Sequence, residues 1–344
     1  MQYYRAGVIA GVNKIEFYQL VRTKPQHNQV LIRVTHCAIC TLEQRIYSGT
    51  IHRYPFAGGH EVSGIVEEVG PDVQYIKPGE KVVVRFLNTC GECYYCRSGH
   101  ENLCETAFKA STHPNLNGPG GLSEYIAVDA MNVYKLPQEV DLAQAALAEP
   151  LACCIHSVRK ADIRLGEDVA VIGIGIMGAL HIQLAKMKGA RIIACEMDPD
   201  RLEMARRLGA DVLINSSEEN AKDRILNVTE GRGADVVFCT AAQPSVAEES
   251  VQIAGKVGRV VLYSSFHPDE PISLNVNRIH STEIEITGSI NPNISDFLTA
   301  SRLMARGLID VSKLITEIVP FEEMDSAFKK AIDPTPYRIV VQCT

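Results

Sequence analysis

Hydrophobic positions change their rhythm part-way along this chain. Up to residue 151 they come in short β-branched runs, "QVLIRVTHCAI", "HEVSGIVEEVG", "EKVVVRF" and "SEYIAVDAMNVYKLP", each bounded by turn formers. Runs of this length and composition predict strands of a compact, mainly antiparallel β-domain. "DLAQAALAEPLACCIHSVRKA" then places apolar residues at helical spacing and predicts a helix bridging to the next unit. From Asp168 the texture alternates. "DVAVIGIG" reads as a buried strand, "IMGALHIQLAKMKG" as a helix ending at Gly189, and "ARIIACE" as a second strand. "DPDRLEMARRLGA" reads as a helix capped by Asp198 or Asp200, followed by "DVLIN", a helix through "EENAKDRILNVTE", and "ADVVFCT". "RVVLYSS" and "IEITGSI" continue the series. Strand and helix alternating over short joins predict a parallel, doubly wound sheet, so the fold class is α/β. The tail predicts a helix over "SDFLTASRLMARGLI" and a last strand at "YRIVVQ".

Composition adds exclusions. A chain of 344 residues suits two domains, and 46% hydrophobic with 22% charged residues is the profile of a soluble globular protein. Net charge is −7 and no basic run of five or more is present, so neither a nucleic-acid nor an anionic-membrane partner is expected. The N-terminal stretch has no signal-peptide pattern, and the longest apolar-plus-Gly run, residues 169–180, is too short to span a bilayer. Eleven cysteines, an odd number without a secretion signal, argue for thiols in a reducing cytoplasm rather than a disulfide framework.

Four of those thiols lie within "CGECYYCRSGHENLC": Cys90, Cys93, Cys96 and Cys104. Two successive C-x2-C steps and a fourth thiol can close a tetrahedron around one Zn²⁺. Four thiolates leave no open position, so the site would be structural. An iron–sulfur cluster is the rival, but the gap before Cys104 and the missing Pro after it fit zinc better. "VIGIGIMG" spaces Gly173, Gly175 and Gly178 as G-x-G-x-x-G between a strand and a helix opened by Ile176 and Met177, with Glu196 ending the next strand. The mechanism of dinucleotide binding needs that context: a tight turn, close backbone approach to the pyrophosphate, and a helix N-terminus facing it. A carboxylate at Glu196 favours NAD over NADP, while Arg201 nearby keeps NADP open. Cys40, His60, Glu61 and Glu149 are metal-ligand types scattered along the β-rich part. Each alone reads as an ordinary residue. Cys40, His60 and one carboxylate together would make a three-ligand site with an open position, the pattern of a catalytic zinc.

In this order and setting, the motifs resemble the zinc-dependent medium-chain dehydrogenase family, the alcohol and sorbitol dehydrogenase relatives. The resemblance rests on Cys40, on "GHEVSGIVEEVG" with Gly59, His60, Glu61, Gly64 and Gly70, on the four-cysteine lobe, on "EP" at Glu149 and on the dinucleotide fingerprint, and it covers nearly the whole length. It implies a GroES-like β-rich catalytic domain from residues 1–151 and 289–344, carrying both zincs, and a Rossmann NAD-binding domain from residues 152–288. It implies a homodimer or homotetramer built through the edge of the Rossmann sheet. "EPLACCIHS" resembles the polyol branch, with Cys40 and His60 as ligands and Glu61 or Glu149 as the exchanging third. Thr240 and Arg338 match positions that approach the cofactor.

One departure stands out. The usual run after the metal cysteine is Gly-Ser/Thr-Asp-x-His, and here it is Thr41-Leu42-Glu43-Gln44-Arg45. Glu43 can still orient His60. Leu42 cannot relay a proton, and Arg45 is no base at neutral pH. The proton would leave through Glu149, Glu61, a water or Thr41. Arg45 could instead bind a phosphate or carboxylate of the substrate, or simply pair with Glu43. The expected activity is therefore hydride transfer from a secondary alcohol of a polyol, cyclitol or sugar to NAD. The alternatives are a phosphorylated sugar alcohol or an amino-alcohol as substrate, or a non-catalytic NAD(H) sensor or scaffold.

Overall fold

The structure is a computed structural model that describes residues 2–107 and 116–344. The chain folds into two compact units, Met1–Ala152 with Asn291–Thr344, and Cys153–Ile290.

In the first unit a sheet runs in the order Glu317–Pro320, Ile339–Gln342, Gln29–Ala38, Glu61–Val69, Lys81–Val84, Val133–Leu136, with Tyr125–Asp129 also paired to Gln29–Ala38. All its pairs are antiparallel except that of the two C-terminal strands. Beside it lies a hairpin of Tyr3–Gly11 and Lys14–Val21. The core gathers Val30, Ile32, Val34, Val62, Val82, Phe321, Phe328 and Val341, all buried. Side chains of that size contribute about 1.5–3 kcal/mol each when fully buried. The register collects the chemistry: Ala38 lies opposite Glu61 on one side and Val340 on the other. Cys40, Glu61 and Arg338 therefore leave one end of three adjacent strands.

The second unit has six parallel strands in the order Val212–Asn215, Arg191–Glu196, Asp168–Ile172, Ala234–Cys239, Ala254–Leu262, Glu285–Gly288. The order reverses between Asp168–Ile172 and Ala234–Cys239, and ligands of such sheets bind outside the strand ends at that point.

Three local readings change. "SEYIAVDAMNVYKLP" is two strands, Tyr125–Asp129 and Val133–Leu136, separated by a 3₁₀ turn and paired to different neighbours. The bridging helix is broken into Leu142–Ala145 and Ala148–Ala161. Pro150 explains the break: without an N–H it is tolerated in a first turn but not further inside a helix. A helix at Thr41–Tyr47 also appears where none was expected.

Helix Ile176–Met187 carries a fully buried His181. Its Nδ1 lies 2.7 Å from the Met177 carbonyl, and Nε2 lies 2.8 Å from Ser157 Oγ. A neutral ring satisfies both, donating from Nδ1 and accepting at Nε2. Burial pushes its pKa down to about 4. The unfolded chain takes the proton near the ordinary His value and the folded chain does not. Stability is thus full above that value and falls as pH drops toward 4, by about 3 kcal/mol. Urea titrations across this range should show the fall in wild type and largely abolish it in His181→Gln. Parallel pH profiles for the two proteins would contradict the assignment.

Candidate metal centres and dinucleotide fingerprint

Cys40 caps helix Thr41–Tyr47 in an extended conformation. The preceding residue, Ile39, donates its N–H to the Ile339 carbonyl at 3.0 Å, so the tail pins this corner. Glu43 in the first turn is fully buried, and its Oε1 accepts from the Gly59 N–H and faces His60 Nδ1, each at 2.9 Å. With Nδ1–H given to Glu43, His60 keeps Nε2 for a metal. The glycines before it make room. A Cβ at Gly58 would meet Glu43 Cγ at 2.8 Å, and one at Gly59 (φ +95°) would meet Leu122 N at 2.5 Å.

Glu61 opens strand Glu61–Val69 and is fully buried. Its Oε1 accepts from the Arg338 guanidinium, itself 3% exposed, while Oε2 has no hydrogen-bond partner. Burial raises the Glu61 pKa, Arg338 opposes the rise, and Glu149 adds to it. Glu149 stands in the first turn of Ala148–Ala161. The Ser63 hydroxyl donates to the Leu142 carbonyl and ties the strand to the segment leading into that turn. Ligand atoms of Cys40, Glu43 and His60 lie within 4.8 Å of one another, and so do those of His60, Glu61 and Glu149. The two groups share His60. Thiol, imidazole and carboxylate donors around an orphaned buried carboxylate oxygen fit Zn²⁺. Of the residues after Cys40, Thr41 is exposed and Leu42 packs against the core. Arg45 is half-buried; burial lowers its pKa and the Cys40 sulfur acts to raise it.

The second cysteine cluster lies between strand Lys81–Val84 and residue 104. All four sulfurs fall within 4.8 Å of one another, with Cys104 to Cys90 at 3.7 Å and Cys90 to Cys96 at 4.0 Å. A tetrahedron of Zn–S bonds of about 2.3 Å spaces sulfurs about 3.8 Å apart. Amide groups of Cys90, Cys93 and Cys96 donate to Cys104, Cys90 and Cys93 sulfurs at 3.4, 3.3 and 3.5 Å. These bonds favour thiolates. The set fits one zinc, whereas a multi-iron cluster needs wider sulfur spacing.

The fingerprint turn sits at the sheet's switch point. Gly173 has φ +87°, and a Cβ on Gly178 would stand 2.0 Å from the Gly173 carbonyl oxygen. Around Gly175 the space is open, with Arg201 Nη1 the nearest atom at 4.0 Å. Gly175 caps the helix without a side chain, which leaves the first-turn amides of Ile176, Met177 and Gly178 for an anion. Glu196 Oε2 accepts from the Ile174 N–H at 2.7 Å, and its Oε1 from Met197 N–H at 2.8 Å. Thr240 donates to the Ile172 carbonyl at 3.1 Å and the Gly173 carbonyl at 2.5 Å, so it braces the turn. Arg338, expected near the cofactor, is engaged by Glu61; no sequence signal links these two positions, 277 residues apart.

Residues 26–138 match the alcohol dehydrogenase GroES-like domain, and residues 173–306 match the zinc-binding dehydrogenase domain. The chain belongs to the zinc-binding alcohol dehydrogenase family. Among relatives of this dehydrogenase, 2-dehydro-3-deoxy-L-galactonate 5-dehydrogenase of Pseudoalteromonas atlantica is 32% identical, with 93% of each chain covered. Sorbitol dehydrogenase of Bacillus subtilis is 31% identical over 96% of this chain and 94% of that one. A zinc-binding dehydrogenase of Sinorhizobium meliloti, solved with NADP bound, superposes with a TM-score of 0.92 at 26% identity, over 99% of this chain and all of that one. The dehydrogenase is an oxidoreductase of the polyol branch. Among its described residues, no helix is long and apolar enough to cross a membrane.

Proposed function

We propose that this dehydrogenase oxidises a secondary alcohol of a polyol, cyclitol or sugar to a ketone with NAD. The observation that carries the reading is the convergence of Cys40, His60, Glu61 and Glu149 donor atoms on His60 at one corner of the β-rich unit. Cys40, His60 and Glu149, with Glu61 exchanging for Glu149, would hold the catalytic zinc. Cys90, Cys93, Cys96 and Cys104 would hold the structural one. Gly173, Gly175, Gly178 and the helix start at Ile176 and Met177 would take the pyrophosphate, and Glu196 the ribose hydroxyls, with Thr240 holding the turn. The β-rich unit would be the catalytic domain and the parallel-sheet unit the cofactor domain, in a cytoplasmic homodimer or homotetramer.

Zinc held there would supply a Lewis acid for the substrate hydroxyl, and bound NAD would supply the hydride acceptor. The protein's own work is orientation and proton removal. Glu43 fixes the His60 ring, and Arg338 neutralises Glu61. Glu149 receives the hydroxyl proton on its carboxylate, directly or through water, because Leu42 has no acceptor and Arg45 stays protonated. Glu149→Gln should lower kcat by about 10²-fold or more, while Thr41→Ala changes it less than about 3-fold. Steady-state kinetics with zinc content measured alongside decide this, and equal, small effects sink the carboxylate route.

A second reading concerns substrate charge. Arg45 is half-buried, the Cys40 sulfur acts to raise its pKa, and one relative is named for a sugar acid. Its guanidinium would bind a carboxylate or phosphate on the substrate. Arg45→Ala should then raise KM for an anionic sugar about 10-fold or more relative to a neutral polyol. An unchanged ratio removes this reading.

A further inference from the structure

Arg85 follows strand Lys81–Val84 and is 1% exposed, among the largest fully buried side chains. A guanidinium has five N–H donors. Here Nη1 donates to Asn132 Oδ1 at 3.3 Å, while Nε and Nη2 reach no acceptor. Among the described residues no carboxylate forms an ion pair with it. A buried cation left so poorly paired is expensive unless some other charge answers it.

The neighbourhood points to the cysteine lobe: Leu87, two residues on, packs with Cys104, Cys90, Cys93 and Cys96. The Arg85 backbone N–H donates to the Asn132 carbonyl at 2.9 Å, and Asn132 Nδ2 donates to Asn88 Oδ1 at 2.9 Å, two residues before Cys90. Burial lowers the guanidinium pKa, and the groups opposing it are Tyr134, Glu101, Cys96 and Cys104. Three of the four, Glu101 and the two thiols, belong to the cysteine lobe, with Glu101 acting more than either thiol. Arg97, the lobe's own cation, is exposed. Four thiolates around Zn²⁺ carry two net negative charges.

We infer that Arg85 is the counter-charge of the four-thiolate centre, a positioning residue that holds the metal-loaded lobe against the β-sheet. The inference rests on the reading of the lobe as a zinc site. It predicts a sign reversal. With metal bound, the guanidinium answers a dianionic centre. With the zinc and two of the thiols removed, most of that negative charge is gone, and the same guanidinium is a poorly paired buried charge.

The test uses the full chain. Zinc release to a chelator is followed in wild type, Arg85→Met and Arg85→Lys, and melting temperatures are compared in chains with and without Cys96→Ser plus Cys104→Ser. Arg85→Met should release the lobe zinc at least 10-fold faster, and Arg85→Lys should restore most of the retention. Arg85→Met should lower the melting temperature of the zinc-loaded chain and raise that of the chain lacking the two thiols. A wild-type release rate, or the same loss in both backgrounds, makes Arg85 a packing residue and overturns the inference alone. If the two serine changes remove no zinc, the lobe reading fails and the inference falls with it. Should Arg85→Met not fold, release from Arg85→Lys at the rate of a fully uncharged lobe neighbour, Arg85→Gln, overturns the inference, and release closer to wild type supports it.

Discussion

Cys40→Ser is expected to cut turnover by about 10³-fold or more, and to remove one of two zincs per chain. A serine hydroxyl keeps its proton at neutral pH and is a poorer zinc ligand than a thiolate. His60 and Glu149 would remain, held by Glu43 and the first turn of Ala148–Ala161. Without the thiolate, His60 and the exchanging carboxylates Glu61 and Glu149 hold the metal too weakly to retain it. The lobe sulfurs are a separate cluster, so their zinc should stay. The readouts are zinc by elemental analysis and NADH formation. Loss of turnover with both zincs retained would mean that Cys40 acts otherwise than as a ligand. Loss of neither would remove it from the site.

Glu61→Ala carries the largest expected cost in stability. It strips Arg338 of its partner, and that guanidinium is 3% exposed. Breaking a buried pair from one side costs about 3–5 kcal/mol, because the remaining charge stays desolvated. Removing both charges in Glu61→Ala with Arg338→Met should cost less than the sum of the two single changes. Denaturant titrations of the three variants measure this coupling. The penalty should persist after chelation, which separates the ion pair from any ligand role of Glu61. Additive costs would mean that the pair contributes nothing of its own.

Much of this was legible in the chain. The alternation after Asp168 predicts a parallel sheet because strand and helix periods differ and the joins are short. Cys90 to Cys104 are local, so their spacing alone implies a closed site. The catalytic cluster was harder, since its members come from three distant segments. Residue types named Cys40, His60, Glu61 and Glu149 as candidates, but only the register that sets Ala38 between Glu61 and Val340 brings the corner together. Arg338 illustrates the limit: the resemblance set it near the cofactor, and only the tail strand's place beside Gln29–Ala38 delivers it to Glu61. Arg85 illustrates another. At the end of "EKVVVRF" the alternation gives no reason to bury a guanidinium, yet Arg85 is 1% exposed. The split of "SEYIAVDAMNVYKLP" escaped because β-branched composition does not reveal a change of pairing partner.

The corner of Cys40, His60, Glu61 and Glu149 would make this chain a zinc-dependent, NAD-linked dehydrogenase of secondary alcohols. Absorbance of NADH formed from NAD⁺ across neutral polyols, cyclitols, sugars, sugar acids, sugar phosphates and amino-alcohols, with NADP⁺ in parallel, tests it most directly. Turnover with a neutral secondary alcohol and preference for NAD⁺ are expected, both lost in Cys40→Ser. Silence across the panel, in protein that holds two zincs and binds NADH, would contradict it.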